Sequence, residues 1–292
     1  MANNSKRTRP SRPIRQQARF DPQRGSKPPE MIELVDPAWI LKALGGVLGF
    51  ALFCAFLTLS ILFWRSQWQL VLHPSRTVTG TPATLHLPFQ GVDFGVDAVG
   101  HPQLDGWFIP SRSAASAPTA LVLHSDDGSM SDALPAAQLL HDANLNVLLF
   151  DYRGYGKSGG KHPTEASMQA DADAALNYLT STRSLPISSI VVYGTGTGGS
   201  LAVHLATQYP LLPALILQSP DGDYAARAKH DPRSSMVPFS MLFNQNFALA
   251  TPLHNLRTPV LMLSRSDDPS GIHQAIASFL HSYISASATA QP

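Results

Sequence analysis

A run of small residues, Gly194-Thr195-Gly196-Thr197-Gly198-Gly199-Ser200, stands between the apolar segment Val191-Val192-Tyr193 and a stretch of helical spacing. Glycines at alternate positions after a buried strand permit a sharp strand-to-helix turn, which lifts one side chain clear of a parallel sheet. Hydroxyls cluster around that turn at Thr195, Thr197 and Ser200, while its centre, Gly196, has none. The other residues able to do chemistry are His124-Ser125-Asp126-Asp127, the acidic pair Asp267 and Asp268, and the late histidines His273 and His281. Hydroxyl, imidazole and carboxylate are the parts of nucleophilic acyl transfer. Cys/His sets with metal-ligand spacing and Walker-type strings are absent from the sequence, so no metal, cofactor or nucleic-acid chemistry is predicted.

The elements that must position these residues form an alternating series. Strands are predicted at Val92 to Val99, Leu104 to Pro110, Thr119 to His124, Val147 to Tyr152, Ile190 to Tyr193, Ala214 to Gln218 and Pro259 to Leu263. Helical spacing fills Asp132 to Ala143, Thr164 to Thr182, Gly198 to Gln208 and Ile272 to Ile284. Short apolar strands between helices imply an α/β domain with a mostly parallel sheet covered on both faces. Asp126 and Asp127 read most simply as a solvated turn that caps the helix near Asp132.

Ahead of this domain, Ala43 to Trp64 is free of charge for twenty-two residues. At 1.5 Å per residue such a helix crosses a hydrocarbon core of roughly 30 Å. Trp39 and Lys42 flank it on one side and Arg65 and Trp68 on the other, as membrane interfaces favour. The first thirty residues hold eight Lys and Arg against Asp21 and Glu30, so the tail carries +6 and the remainder −5 within a net charge of +1. A basic, Pro-rich tail cannot build a core and is predicted to be disordered. Its charge predicts a cytoplasmic N-terminus and an extracytoplasmic or periplasmic main domain. The domain plan is a tail over 1–37, a transmembrane helix over 38–65, a main domain over 66–284 and a flexible end over 285–292. The irregular stretch about 221–257, with Phe239, Phe243 and Phe247, forms a lid-like insertion in that domain.

Three further strings carry a resemblance: Leu72-His73-Pro74-Ser75-Arg76, Gly106-Trp107-Phe108-Ile109-Pro110, and Phe150-Asp151-Tyr152-Arg153-Gly154-Tyr155-Gly156-Lys157-Ser158. With the glycine turn they span roughly 66–280, and there the chain resembles the membrane-anchored α/β-hydrolases of the serine aminopeptidase-like branch. The resemblance implies an α/β-hydrolase fold, doubly wound, mostly parallel and shortened at its C-terminal end, preceded by one transmembrane helix.

It also implies a serine nucleophile at the centre of the turn, and this chain has Gly196 there. The acid slot falls at Asp268. The base belongs in a loop after one further strand, and no such strand is predicted after the final helix. The oxyanion turn, His-Gly in the family, reads His124-Ser125 here; Ser125, Asp126 and Thr197 form the oxyanion region, and the carboxylates would repel a developing oxyanion. Thr197 and Ser200 are the alternative nucleophiles.

The resulting expectation is a single-pass membrane protein with no intact triad, a pseudo-hydrolase with a small-molecule or protein ligand. Two other functions stay open. One is an esterase or peptidase with a non-standard nucleophile, and the other is an interaction module of the cell envelope.

Overall fold

The computed structural model describes residues 37–97, 99–113, 117–264 and 269–289. The basic tail before Pro37, together with Asp267 and Asp268, lies outside the described residues.

The central sheet has seven strands: β1 (Gln90–Val96), β2 (Pro102–Ile109), β3 (Thr119–Leu123), β4 (Asn146–Phe150), β5 (Ile190–Thr195), β6 (Leu215–Gln218) and β7 (Val260–Leu263). They lie in the order β1-β2-β4-β3-β5-β6-β7. The first two pairings are antiparallel and the rest parallel. Among the described residues no strand follows β7.

Strands β3 and β4 are buried at every position, because both faces of the sheet are covered. Leu121, Leu123, Leu148, Phe150 and Val192 pack on one face against α3 (Glu165–Asn177) and α4 (Gly198–Gln208). Ala120, Val122, Leu149, Val191 and Tyr193 face α2 (Leu134–Asp142) and the final helix, α5 (Pro269–Thr289). Each of the Leu, Val and Phe side chains among them stabilises the fold by ~1.5–3 kcal/mol relative to exposure. The predicted helix from Thr164 is α-helical only to Asn177 and ends in a wide π turn over Tyr178–Thr182. Helix α5 continues to Thr289, beyond the Ser285 at which the composition suggests fraying.

The cap of the helical segment after β3 is a correction. Ser129 accepts from the Ser131 N–H, and Asp132 accepts from the Ser129 N–H, so a capping box begins the turn over Met130–Ala133. Asp126 and Asp127 do not cap it. Asp127 is exposed, while the Asp126 side chain is turned inward at 18 % exposure.

Helix α1 (Pro37–Ser66) is the one described helix long and apolar enough to cross a membrane. Most of its side chains are exposed; Phe63 is buried, and Ser60 and Ser66 are half-buried. Beyond it the chain passes through a 3-10 turn at Gln67–Leu70, and His73–Pro74 then pairs in parallel with Asp127–Gly128. Arg76 next donates to the carbonyls of Ser158 (2.5 Å) and Gly160 (2.6 Å). The exit segment and the Asp151-to-Ser158 turn are thereby fastened together.

Candidate active site

The glycine turn falls between β5 and α4, at the carboxyl ends of the parallel strands. Gly196 has φ +54°, a left-handed conformation that glycine adopts without strain. Gly198 starts α4 so close to β3 that a Cβ there would overlap the carbonyl oxygen of Leu123. The spacing of the glycines is thus set by two separate demands, backbone conformation at 196 and close packing at 198.

A Cβ on Gly196 would also collide with Ser125, overlapping its Oγ and lying 3.0 Å from its Cβ. Ser125, at the position where the resemblance implies glycine, fills the volume that Gly196 leaves empty. Ser125 Oγ donates to Asp126 Oδ1 at 2.8 Å. Thr197 Oγ1 donates to the same oxygen at 2.5 Å and shares a 2.6 Å hydrogen bond with the Tyr224 hydroxyl. Tyr155 closes the group by donating to the Asp126 backbone carbonyl at 2.8 Å. Burial raises the Tyr155 and Tyr224 hydroxyls above their ordinary range, so both stay protonated.

The two other candidate hydroxyls on this turn are occupied. Thr197 is fully buried, and Ser200 Oγ donates 2.8 Å back to the Thr197 carbonyl. A hollow of about 430 Å³ opens above Gly196, with Ser125, Asp126, Asp127, Asp132 and Asp221 on its walls. Arg227 pairs with Asp221 through two 2.9 Å contacts. The other three carboxylates give the hollow a potential opposite to the one an oxyanion needs.

His73 comes to this acidic wall from the exit segment. Its Nδ1 lies 3.2 Å from Asp127 Oδ1 and 3.8 Å from Asp126 Oδ2. The resulting order is hydroxyl, carboxylate, imidazole, with Asp126 between Ser125 and His73. In a working triad the imidazole lies between the other two, where it can accept the proton of the hydroxyl. His73 and Tyr224 are the site residues that motif spacing missed. The position of His73 in the exit string was the one available signal, and Tyr224 lay inside the irregular stretch. Gly196, Ser125, Asp126 and Thr197 do come together, whereas the acid slot, Asp268, lies outside the described residues.

Behind the wall is a second ionisable pair. His124 is buried against Tyr152 and Tyr155, with its Nδ1 2.8 Å from the Ser125 carbonyl and its Nε2 3.7 Å from Asp151 Oδ1. Burial lowers His124 to about 4 and raises Asp151 to about 7. The imidazole is therefore neutral at neutral pH. Asp151 Oδ1 also accepts from the Met130 N–H at 2.7 Å, which joins the Asp-Tyr-Arg turn to the segment after β3.

Comparison with known proteins agrees with this architecture. The family model described as serine aminopeptidase, S33, matches residues 120–290, more than half of the chain. An uncharacterised protein of Mycobacterium tuberculosis is 32 % identical over 209 residues, covering 71 % of this chain and 72 % of that protein. Protein bem46 of Schizosaccharomyces pombe is 36 % identical over 149 residues, covering 50 % of this chain and 48 % of its own. Among solved structures, an esterase of Pyrococcus furiosus superposes with a TM-score of 0.55 at 21 % identity, covering 73 % of this chain and 98 % of that one, a likeness of fold alone. With its strand order, its glycine turn and these matches, the chain belongs to the serine aminopeptidase S33 family of α/β-hydrolases.

Proposed function

We propose that this protein is a membrane-anchored pseudo-hydrolase, one that keeps the α/β-hydrolase scaffold for binding and does not cleave esters or peptides through a serine mechanism. The observation that carries the reading is the exchange of volumes at the turn: Ser125 occupies the space of a side chain at position 196. A serine placed there without other change would meet Ser125 before it met a substrate. The hydroxyl that fills the space is held by a carboxylate, and among the described residues no imidazole hydrogen-bonds to it: the neighbouring His124 ring turns its Nδ1 to the Ser125 backbone carbonyl instead. Once the nucleophile of such a unit is lost, its remaining parts gain little rate by being kept. The hollow above Gly196 is left as the candidate ligand site. Helix α1 supports the anchored reading by length and composition. The basic residues before it support a cytoplasmic N-terminus with the main domain outside.

A fluorophosphonate probe applied to the detergent-solubilised full-length protein tests the chemical part. The wild type should remain unlabelled, alongside an active serine hydrolase as positive control. Labelling that disappears in Ser125→Ala, Thr197→Ala or Ser200→Ala would establish a non-standard nucleophile and overturn the reading.

A further inference from the structure

Phe63 belongs to the apolar run of α1 and is nevertheless only 6 % exposed, because its ring meets Phe239 edge-on at 6.0 Å. One turn later Gln67, also buried, donates through its amide nitrogen to the Leu242 carbonyl at 2.9 Å and accepts from the Asn244 N–H at 2.8 Å. Residues 239–244 are thus clamped to the exit of α1. Whatever medium surrounds that exit also surrounds them.

The side chains around the clamp suit a lipid surface better than water. Met241 is 84 % exposed and Met236 60 %, a costly placement for large apolar groups facing solvent. Trp68 stacks on His162 at 5.2 Å beside a hollow of about 450 Å³ that Trp64 and Arg65 also line. Among the described residues no carboxylate pairs with Arg65. Indole rings and an unpaired cation are the groups that settle at headgroup level, where a phosphate meets the guanidinium.

We propose that the face formed by the exit of α1 and residues 236–243 is bedded in the phospholipid headgroup layer, with Met236 and Met241 reaching the acyl boundary. The proposal rests on α1 spanning the bilayer. It gives the lid-like insertion a fixed partner, the membrane that holds the anchor. The partner is specified by geometry, since the ring contact and the two Gln67 hydrogen bonds tie residues 239–244 to the end of the helix.

The test uses the full-length chain in phosphatidylcholine/phosphatidylglycerol vesicles, with an environment-sensitive fluorophore on one cysteine at a time. Native Cys54, near the middle of α1, reports insertion of the helix. Met241→Cys and Leu211→Cys, each made with Cys54→Ser, report the proposed face and a control. Leu211 is 74 % exposed and precedes β6, at the amino ends of the parallel strands, opposite the glycine turn. Lipids carrying a nitroxide near the ester or at the chain end serve as quenchers. The label at Cys54 should lose most fluorescence to the chain-end nitroxide, that at Met241→Cys to the ester-level nitroxide, and that at Leu211→Cys to neither. Quenching at Cys54 without quenching at Met241→Cys overturns the docking proposal and leaves the anchor standing. No quenching at Cys54 overturns both.

Discussion

Ser125 and Gly196 share one side-chain volume: the serine fills it from the loop after β3, and a Cβ from the turn after β5 would intrude on it. Each residue is therefore a condition for the other. Gly196→Ser should destabilise the fold by about 2–4 kcal/mol, combining a left-handed backbone position with overpacking. In a Ser125→Gly background the same change should cost only about 1–2 kcal/mol, the backbone part alone. Urea denaturation of the four proteins gives the coupling directly. Equal costs in both backgrounds would show that the two residues do not compete for space.

The Asp126, Thr197 and Tyr224 chain supplies a second expectation. Thr197→Val keeps the shape and removes the hydroxyl, leaving the Tyr224 hydroxyl and one acceptor position of Asp126 without their partner. The loss should be about 1–3 kcal/mol by thermal or chemical denaturation, and Thr197→Ser should recover most of it. A Thr197→Val protein as stable as the wild type would mean that the network contributes nothing to the fold.

The buried pair His124 and Asp151 should show itself in the pH dependence of stability. Asp151 is raised from 3.8 to about 7 on folding, so its contribution is complete below 3.8 and is lost as pH rises through 7. His124 is lowered from 6.5 to about 4, so its contribution is complete above 6.5 and is lost as pH falls through 4. Between about 4 and 6.5 the two slopes oppose each other, because folding in effect moves a proton from the imidazole to the carboxyl. Removing either partner should uncover the slope of the other. Urea midpoints of Asp151→Asn should rise with pH across that window, and those of His124→Gln should fall. Parallel profiles for the two variants would refute the opposed shifts.

The fold was legible because its signals are local. Buried strands announce themselves as short apolar runs, and the turn before α4 declares itself through glycines at fixed spacing. The cap at Ser129 was legible in principle as well, since Ser129 and Asp132 stand three apart ahead of a helix, yet the adjacent carboxylates drew the assignment to Asp126 and Asp127. The site itself was only half legible. That Gly196 lacks a hydroxyl is plain in the sequence, but the side chain filling its place comes from a different strand loop. No local period relates Ser125 to Gly196 or Asp126 to Thr197; only the pairing of β3 with β5 does. His73 reaches the same wall through a two-residue ladder too short to leave a pattern in the sequence.

The Asp-Tyr-Arg turn offers a last expectation, on what holds the scaffold rigid beneath the site. Asp171, nearly fully buried on α3, accepts from the Arg153 backbone N–H at 2.8 Å and from its Nε at 2.5 Å. The Arg153 guanidinium also donates to the Ser167 carbonyl at 3.1 Å, so α3 grips the turn at two points. Burial raises the Asp171 carboxyl in spite of the nearby arginine, which marks the pair as costly to desolvate. Asp171→Ala strands a buried backbone donor and leaves the guanidinium without its counter-charge, and should cost about 3–5 kcal/mol. Asp171→Asn keeps an acceptor for the backbone N–H and should cost less than half of that. Matched thermal denaturation of the two variants separates the contributions: equal losses would assign the grip to charge alone, and a small loss in Asp171→Ala would remove this pair from among the supports of the turn.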